Sequence, residues 1–540
     1  MRRNALLLTA LLAVPAALPA QHEGGHGAAP AAPPVADSTI TLHREALGTF
    51  HWPVRTVSQE AQAYFDQGTR LMFAFAPDDA YRSFAQARRL DPACAMCWWG
   101  EAWSLAPYLN GPMDAEDAPA AFAAAARARA LAAESGSPAE RALTEAMAVR
   151  FAPEHPAGGR ARLDSAYAKA MEDVHARFAN DAQMATMYAE ALMLLEPRRG
   201  IWSLEKPSVT RILDVLQGVL AADLGHPGAC HLFIHATETT PRVGEAEACG
   251  ELLSASMPRA SHINHMPSHT FNRVGRWGDA VTVNQLAVRS DSAARTGDGI
   301  SVYAAHNQMM LAYAAAVDGQ SAVARLASNG FAELVPEGDG ASLQALMAVR
   351  FGRWDDALAL TAAPTHPVHR GLWAFGRGYA HLRGGRADSA ALYLARVDSL
   401  ATNTPQTMVV RQHTPARLLG VVSNILRGEM ERSAGRADEA ITAFRAAVAL
   451  EDQLVYDEPE PLPFAARDWL GAALLDAGQA DEAARVYTDA VADRPGNGWS
   501  LWGLERALRA AGRTEEADAA RARFASVWTR ADLQLSATRF

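Results

Sequence analysis

A six-residue turn recurs through this sequence, and it limits the fold more than any other feature. Each copy starts with Gly, carries an acidic residue at its fourth or fifth position and ends with Ala. Gly stops one helix, the acidic residue favours the start of the next, and Ala lets the two helices approach closely. The copies are Gly275–Ala280, Gly352–Ala357, Gly385–Ala390, Gly435–Ala440, Gly478–Ala483 and Gly512–Ala517. A chain of 540 residues with this pattern is predicted to form one long repetitive body rather than a single core.

The repeat length indicates which helical hairpin is repeated. Gly478 and Gly512 are separated by one period of about 34 residues, and an Ala–aromatic–Ala–Pro pattern accompanies the turn. The pattern occupies Ala80, Phe84, Ala87 and Pro92, and again Ala483, Tyr487, Ala490 and Pro495. It resembles the tetratricopeptide repeat, a helix–turn–helix unit that stacks into a superhelix. The resemblance implies an all-α fold, a tetratricopeptide-like α-solenoid of about 9–12 hairpins over residues 58–531.

The two ends of the chain differ from this helical body. Residues 1–20 combine a basic start, a short apolar core and small residues, which is typical of a secretory signal peptide. Residues 21–37 are predicted to be a flexible Pro/Gly/Ala-rich leader, residues 38–57 an extended arm or small β-hairpin, and residues 532–540 an extended tail. No later apolar run is long enough to cross a bilayer, so we expect an exported protein, periplasmic or extracellular, without a membrane span.

Four cysteines, Cys94, Cys97, Cys230 and Cys249, are predicted to form disulfides, because export places them in an oxidising compartment. Four cysteines allow three pairings, and proximity in the sequence favours Cys94–Cys97 together with Cys230–Cys249. Trp98 follows the first pair where the haem c attachment signature has His. A redox or metal-binding role for Cys94 and Cys97 stays open as an alternative.

Histidines are concentrated in one part of the predicted solenoid. Seven of the 17 lie between residues 226 and 306. His231 and His235 are four residues apart on a predicted helix, and so are His265 and His269. The two pairs are offset by one repeat period, so adjacent repeats carry a histidine pair at equivalent positions. The first helix of each tetratricopeptide hairpin lines the concave groove, which implies that both pairs face it.

This spacing predicts a transition-metal site in the groove. Histidines at i and i+4 on a helix are a common ligand arrangement, and imidazole favours copper, zinc or iron over calcium or magnesium. The predicted core ligands are His231, His235, His265 and His269, and the further candidates are Glu238, His262, His306 and His226. The set is large enough for one ion or for a dinuclear centre. Leu232 follows His231 where a zincin protease has Glu, which disfavours that mechanism.

Three other hypotheses fit the same residues. The first is a metal-dependent enzyme that uses copper, iron or zinc at this site. The second is a metal-free groove for a protein or peptide partner, in which protonated histidines recognise an acidic peptide. A purely structural role of the histidines also stays open, with Pro227 and Pro267 starting helices and the neighbouring histidines capping them. The third is a self-assembling extracellular fibre or surface subunit, because residues 533–540 alternate apolar and polar side chains. A net charge of −10 without a basic cluster argues against a nucleic-acid partner.

Three longer strings extend the resemblance. They are residues 90–100 (LDPACAMCWWG), 226–235 (HPGACHLFIH) and 262–269 (HINHMPSH). The strings are similar to those of a family of exported bacterial tetratricopeptide-repeat proteins of uncharacterised function. The similarity covers most of residues 45–530 and implies that the histidine strings form a site, without implying an activity.

Aromatic residues cluster after the first string. Trp98, Trp99, Trp103 and Tyr108 are predicted to pack in the core rather than to form a ligand platform. Glu190 is predicted either to reach the groove from a preceding repeat or to lie on a solvated helix face.

Overall fold

Helices account for all the regular structure in the part of the chain that the computed structural model describes, which is residues 40–197, 202–336 and 338–540. The predicted signal peptide (residues 1–20) and leader (residues 21–37) lie outside these ranges. None of the described helices combines the length and apolar composition that crossing a bilayer requires. The predicted all-α solenoid is therefore confirmed for the described residues.

The helices pair into successive antiparallel hairpins. The N-terminal part contains α1 (Gln59–Phe73), α2 (Pro77–Leu90), α3 (Ala95–Ser104), α4 (Ala118–Ser135), α5 (Pro138–Ala148), α6 (Ala161–Arg177), α7 (Ala182–Met193) and α8 (Pro207–Ala222). The middle part contains α9 (Pro227–Thr237), α10 (Glu247–Ser256), α11 (Ser261–His265), α12 (Pro267–Val274), α13 (Trp277–Ala294), α14 (Ala304–Val317) and α15 (Ser321–Leu334). With α11 and α12 counted as one interrupted helix, these two parts form seven hairpins in the described residues.

Five further hairpins complete the described chain. They contain α16 (Gly340–Arg350), α17 (Trp354–Ala359), α18 (Pro367–Arg383), α19 (Ala387–Asn403), α20 (Pro415–Ser433), α21 (Ala437–Glu451), α22 (Ala466–Asp476), α23 (Ala480–Asp493), α24 (Gly498–Ala510) and α25 (Thr514–Val527). Their cores join into one continuous cluster of buried apolar side chains. A hairpin cannot bury its apolar face alone, so this stacking supplies the core.

The recurring turn has the geometry that its sequence predicts. Its Gly has a positive φ in every copy: Gly275 (85°), Gly352 (65°), Gly385 (72°), Gly435 (78°), Gly478 (74°) and Gly512 (75°). The Ala that closes each turn is at most 1% exposed, because it lies where the two helices touch: Ala280, Ala357, Ala390, Ala440, Ala483 and Ala517. The turn therefore sets both the end of one helix and the close approach of the next.

The N-terminal arm lies along α1. Residues 40–57 contain no strand and no helix. Side chains of α1 bond its backbone: His43 N–H donates to Gln67 Oε1 over 2.7 Å, and Arg70 Nε donates to the Phe50 carbonyl over 2.7 Å. These side chains take the place of a partner strand, so the arm is extended and forms no hairpin.

The superhelix closes on itself between its middle and its C-terminal hairpins. Trp277 Nε1 donates to the Pro495 carbonyl over 2.8 Å, and Trp499 Nε1 donates to the Ala316 carbonyl over 3.0 Å. Residues 452–465, which connect α21 to α22 and which we call the closing loop, reach back toward α12. Hairpins that are far apart in the sequence are therefore in direct contact.

The C-terminal tail occupies the concave face of the last hairpins. Thr538 Oγ1 donates to the Asp468 carbonyl over 2.7 Å, and Tyr379 donates its hydroxyl to the Phe540 carbonyl over 2.8 Å. Beneath it, Arg350 and Asp468 form an ion pair at 3.2 Å with side chains at most 1% exposed. The tail is thus an extended segment bound to its own solenoid.

Candidate metal centre

The first histidine pair lies on α9, the first helix of its hairpin. His231 and His235 project from one face because they are four residues apart. Gly228 lets α9 pack against α1, since a Cβ at this position would lie 2.5 Å from the Phe73 ring. The disulfide between Cys230 and Cys249 ties the other side of α9 to α10. The disulfide pairing predicted for all four cysteines is confirmed, since Cys94 is bonded to Cys97.

The second pair lies on the equivalent helix of the next hairpin, which is interrupted at Met266. Pro267 starts α12 after α11 has ended at His265, and His262, His265 and His269 still share one face across the break. His306 lies in the first turn of α14, the first helix of the hairpin that follows. All four side chains are at most 3% exposed.

Two groups of three histidines result. The first histidine group is His231, His235 and His262, and the second histidine group is His265, His269 and His306. Within each group the ring nitrogens that face one another lie within 4.8 Å, close enough to bind one ion. The groups also touch, since the ring centroids of His235 and His269 are 5.6 Å apart, as are those of His262 and His265.

Oxygen acceptors fix the ring orientation of four of the six histidines. His231 Nδ1 donates to the Phe73 carbonyl over 2.5 Å, and His265 Nδ1 donates to Asn284 Oδ1 over 3.0 Å. Glu238 accepts from both groups: Oε1 lies 3.1 Å from His235 Nδ1, and Oε2 lies 2.5 Å from His269 Nδ1. A histidine that donates from Nδ1 carries a lone pair on Nε2, which is the arrangement of metal-binding histidines.

In the second histidine group, two of these Nε2 atoms face each other in a buried space. His265 Nε2 lies 2.8 Å from His269 Nε2, and two lone pairs at that distance repel unless a proton or a cation lies between them. Among the described residues, none forms a hydrogen bond with His231 Nε2 or with either ring nitrogen of His262. Buried nitrogens without partners cost free energy, which a bound metal ion would recover.

Burial keeps two of these imidazoles neutral. Loss of water lowers the pKa of His231 well below its ordinary value, and the neighbouring His235 lowers it further. The pKa of His262 is also well below the ordinary value, first through burial and then through His231 and His265. Neutral rings keep their lone pairs at neutral pH, as metal binding requires.

An aromatic cap covers the first histidine group. Phe75 lies in the turn between α1 and α2, and its ring centroid is 4.2 Å from that of His231 and 5.4 Å from that of His262. Tyr303, which precedes α14, meets His262 edge-on at 5.1 Å. Tyr108 completes the cap, because its hydroxyl oxygen lies 2.8 Å from that of Tyr303.

The closing loop covers the second histidine group. Glu458 Oε2 lies 3.8 Å from His269 Nδ1. Asp457 anchors the loop through ion pairs with Arg411 at 2.6 Å and His413 at 3.2 Å, and the three side chains are at most 9% exposed. A second carboxylate therefore approaches the histidines from a distant part of the chain.

Two residues predicted near the site lie outside the histidine groups. His226 caps α9: its Nδ1 accepts from Ala229 N–H over 3.1 Å, and its Nε2 lies 3.2 Å from Gln183 Oε1. Both of its nitrogens are thus engaged, and the alternative of a capping role describes it correctly. Glu190 is only 7% exposed and lies 3.5 Å from Trp103 Nε1, so it is neither on a solvated face nor in a histidine group.

Several residues of the site escape sequence reasoning. Phe75, Tyr303 and Glu458 lie in turns and loops. The repeat period does not determine where these segments lie in the folded chain. In the sequence, nothing distinguishes Asn284 on α13 from the other polar residues on the second helix of a hairpin. A positive φ marks Phe75 (54°) and Tyr303 (60°), but it becomes visible only in the structure. Trp99 and Trp103 are buried in the core, whereas Tyr108 belongs to the cap.

No model of a known protein family matches this chain, and no curated protein matches it. Among solved structures it is similar to yeast Tom70, at 12% identity and a TM-score of 0.32 over 86% of this chain and 96% of that chain. It is also similar to the human IFIT1 dimer with m7Gppp-AAAA, at 11% identity and a TM-score of 0.31 over 88% of this chain and 92% of that chain. Likeness at this distance carries no information about activity, metal or partner.

Proposed function

We propose that this protein is a solenoid scaffold that holds a pair of transition-metal ions, one in each histidine group. The observation that carries the proposal is the shared orientation of the rings. In four of the six rings Nδ1 donates to an oxygen, and in each group one nitrogen of every ring lies within 4.8 Å of those of the other two. Hydrogen bonding alone would not gather so many imidazoles with their acceptor atoms facing one another.

The donor set limits the metal to a few elements. Three imidazoles for each ion suit copper, zinc or iron, whereas calcium and magnesium prefer oxygen ligands. Glu238 holds rings of both groups, so it acts as an orienting residue shared between the two ions. An ion held by three histidines would keep an open position and supply Lewis-acid or redox chemistry there.

Elemental analysis of protein purified without a histidine tag tests the proposal. We expect about two ions per chain in the wild type and a near-complete loss in a His235→Ala/His269→Ala variant, which removes one ligand from each ion. The matched control is His155→Ala/His381→Ala, which removes two histidines far from the groups and should keep the wild-type metal content. Equal metal content in all three proteins, or none in the wild type after loading with copper, zinc and iron, would refute the proposal.

Export to an oxidising compartment forms the second part of the proposal. It is supported by the two disulfides, which use all four cysteines of the chain. Fractionation of cells that express the full chain should recover the protein outside the cytoplasm, with an N-terminus near Gln21 by mass spectrometry. An intact Met1 on the folded protein would contradict export.

Peptide binding is a second candidate function, favoured by the position of the tail. The concave face of the last hairpins already binds residues 538–540 as an extended segment. A peptide partner would have to displace this segment, and a fibre would have to exchange it between copies. Two measurements separate these alternatives. A peptide of residues 532–540 should bind a chain that lacks them if this face is a peptide groove. Electron microscopy of the concentrated full chain should show filaments, lost on removal of residues 532–540, if copies exchange the segment.

A further inference from the structure

A cavity of about 370 Å³ opens beside the first histidine group. The turn before α2 forms one wall, and the segment that leads into α14 forms the other. His306 of the second histidine group also lines it, next to Ala305. The cavity therefore borders both groups of the proposed metal centre and has the size of a small-molecule site.

Aromatic rings form the inner walls of this cavity. Phe75 and Tyr108 meet edge to face with centroids 5.3 Å apart, and both line the cavity together with Tyr303. Phe75 also stacks on His235, with centroids 5.8 Å apart and planes 6° apart. A ligand between these walls would contact the faces and edges of the aromatic rings. The histidine imidazoles would lie on the far side of those rings.

The two wall residues nearest the histidines are held in an unfavourable backbone conformation. Phe75 and Tyr303 both have φ in the left-handed region, at 54° and 60°, which bulky residues rarely adopt. Such strain persists where the surrounding structure enforces it, and it is concentrated at binding sites. Here it points both rings at the same cavity.

The polar groups of the cavity select the kind of ligand. The hydroxyl groups of the two tyrosines, which lie 2.8 Å apart, and the imidazole of His306 place donors and acceptors on the cavity wall. Asp78 and Asp79 lie at the rim, where Asp79 pairs with Arg82. None of the described residues that line the cavity is itself Lys or Arg, so the rim keeps a net negative charge. This charge disfavours an anionic ligand.

We propose that this cavity binds a small, uncharged phenol and presents it to the metal centre. The presentation of the phenol to a metal rests on the proposed function. The cavity and its aromatic walls are features of the structure and do not depend on that proposal. The ring of the phenol fits the aromatic walls, and its single hydroxyl group fits the polar groups on the cavity wall. The acidic rim disfavours carboxylated or phosphorylated aromatics.

Fluorine NMR of 4-fluorophenol with the metal-free protein tests binding. We expect saturable binding with a dissociation constant on the order of 1 mM, and binding at least about tenfold weaker for 4-fluorobenzoate. Ala304→Trp fills the cavity and should abolish the phenol signal. Ala359→Trp, the same change in another surface depression, is the matched control and should retain it. Tyr108→Phe keeps the ring, removes the hydroxyl group and should weaken binding severalfold, which provides a second test if the tryptophan variant does not fold.

A second measurement tests proximity to the metal. In cobalt(II)-loaded protein the fluorine line of bound 4-fluorophenol should broaden strongly relative to zinc(II)-loaded protein, because cobalt(II) is paramagnetic. No binding to the metal-free protein, equal binding of the benzoate, or unbroadened lines in the cobalt protein would each overturn the inference. Failure of the protein to load any metal refutes the proposed function, and the metal-free titration still decides whether the cavity binds phenols.

Discussion

A single carboxylate, Glu238, accepts hydrogen bonds from one histidine of each group. Its position at the end of α9 follows from the sequence, since it lies three residues after His235 on the same face. Its role does not follow, because a ligand and an orienting residue look alike in sequence. Only the distances to His235 and His269 show that both oxygens face Nδ1 atoms.

We predict that Glu238→Gln weakens metal binding about 10–100-fold without unfolding the protein. Gln keeps the size of the side chain, but its amide group can accept from only one of the two rings. A competition titration with a chelator of known affinity measures the change. Glu245→Gln, at an exposed pair with Arg242, is the control, and equal affinities of the two variants would show that Glu238 does not orient the rings.

His369 on α18, which belongs to neither histidine group, gives a pH-dependent contribution to stability. Its Nδ1 lies 2.9 Å from Ser342 Oγ, and burial lowers its pKa to about 4. The unfolded chain binds this proton near pH 6.5, so stability is fully present above that pH and falls as the pH drops toward 4. Urea unfolding at about pH 7 and about pH 5 measures how much the free energy of unfolding falls between the two pH values. This fall should be about 1–2 kcal/mol smaller in His369→Gln than in the wild type. Equal losses in the two proteins would contradict the assignment.

At the scale of the helices, the sequence predicted most of what the structure contains. The turn at Gly275 and its later copies indicated the hairpins, and the offset by one repeat period placed His231 and His265 in equivalent helices. The prediction of a metal site placed His265 and His269 on one helix, whereas the capping alternative had a helix start at Pro267, as the structure has it. His262 and His306 join the histidine groups only because three successive hairpins stack in a particular way. The spacing of the histidines suggested this stacking but did not determine it.

The disulfide between α9 and α10 is predicted to stabilise the hairpin that carries the first histidine pair. It closes a loop of 19 residues, so Cys230→Ser/Cys249→Ser should lower the free energy of unfolding by about 3 kcal/mol and weaken metal binding. Thermal unfolding and metal titration measure the two effects. Cys94→Ser/Cys97→Ser, with a separation of three residues, is the control and should retain metal affinity; equal loss in both variants would contradict a local bracing role.

At the scale of the whole molecule, the contacts that close the superhelix were beyond prediction. A repeat pattern describes each hairpin and its neighbours, but the bond from Trp499 to Ala316 joins residues 183 positions apart. The closing loop and the aromatic cap depend on the same accumulated curvature. Local sequence patterns set the hairpin, and small rotations summed over many hairpins decide which distant residues meet.

Removal of residues 536–540 is predicted to destabilise the C-terminal hairpins by about 3 kcal/mol. The deletion leaves the buried hydroxyl groups of Tyr379 and Tyr487 without their partners in the tail. A calorimetric scan should show a lower midpoint for the last hairpins. Gln534→Ala changes an exposed tail residue and should leave the midpoint unchanged; an unchanged midpoint in the truncated chain would show that the tail contacts contribute little.

The closing loop also has a consequence for biosynthesis. A chain that emerges N-terminus first into the compartment where it folds can complete the helices that carry both histidine groups by residue 317, before residues 452–465 have emerged. During that interval the second histidine group faces the surroundings without its cover. If the group binds metal as proposed, an ion could reach it before Asp457 docks against Arg411 and His413 and would be enclosed afterwards. For the proposed metal centre, the order in which the chain emerges would thus separate the uptake of the ion from its enclosure.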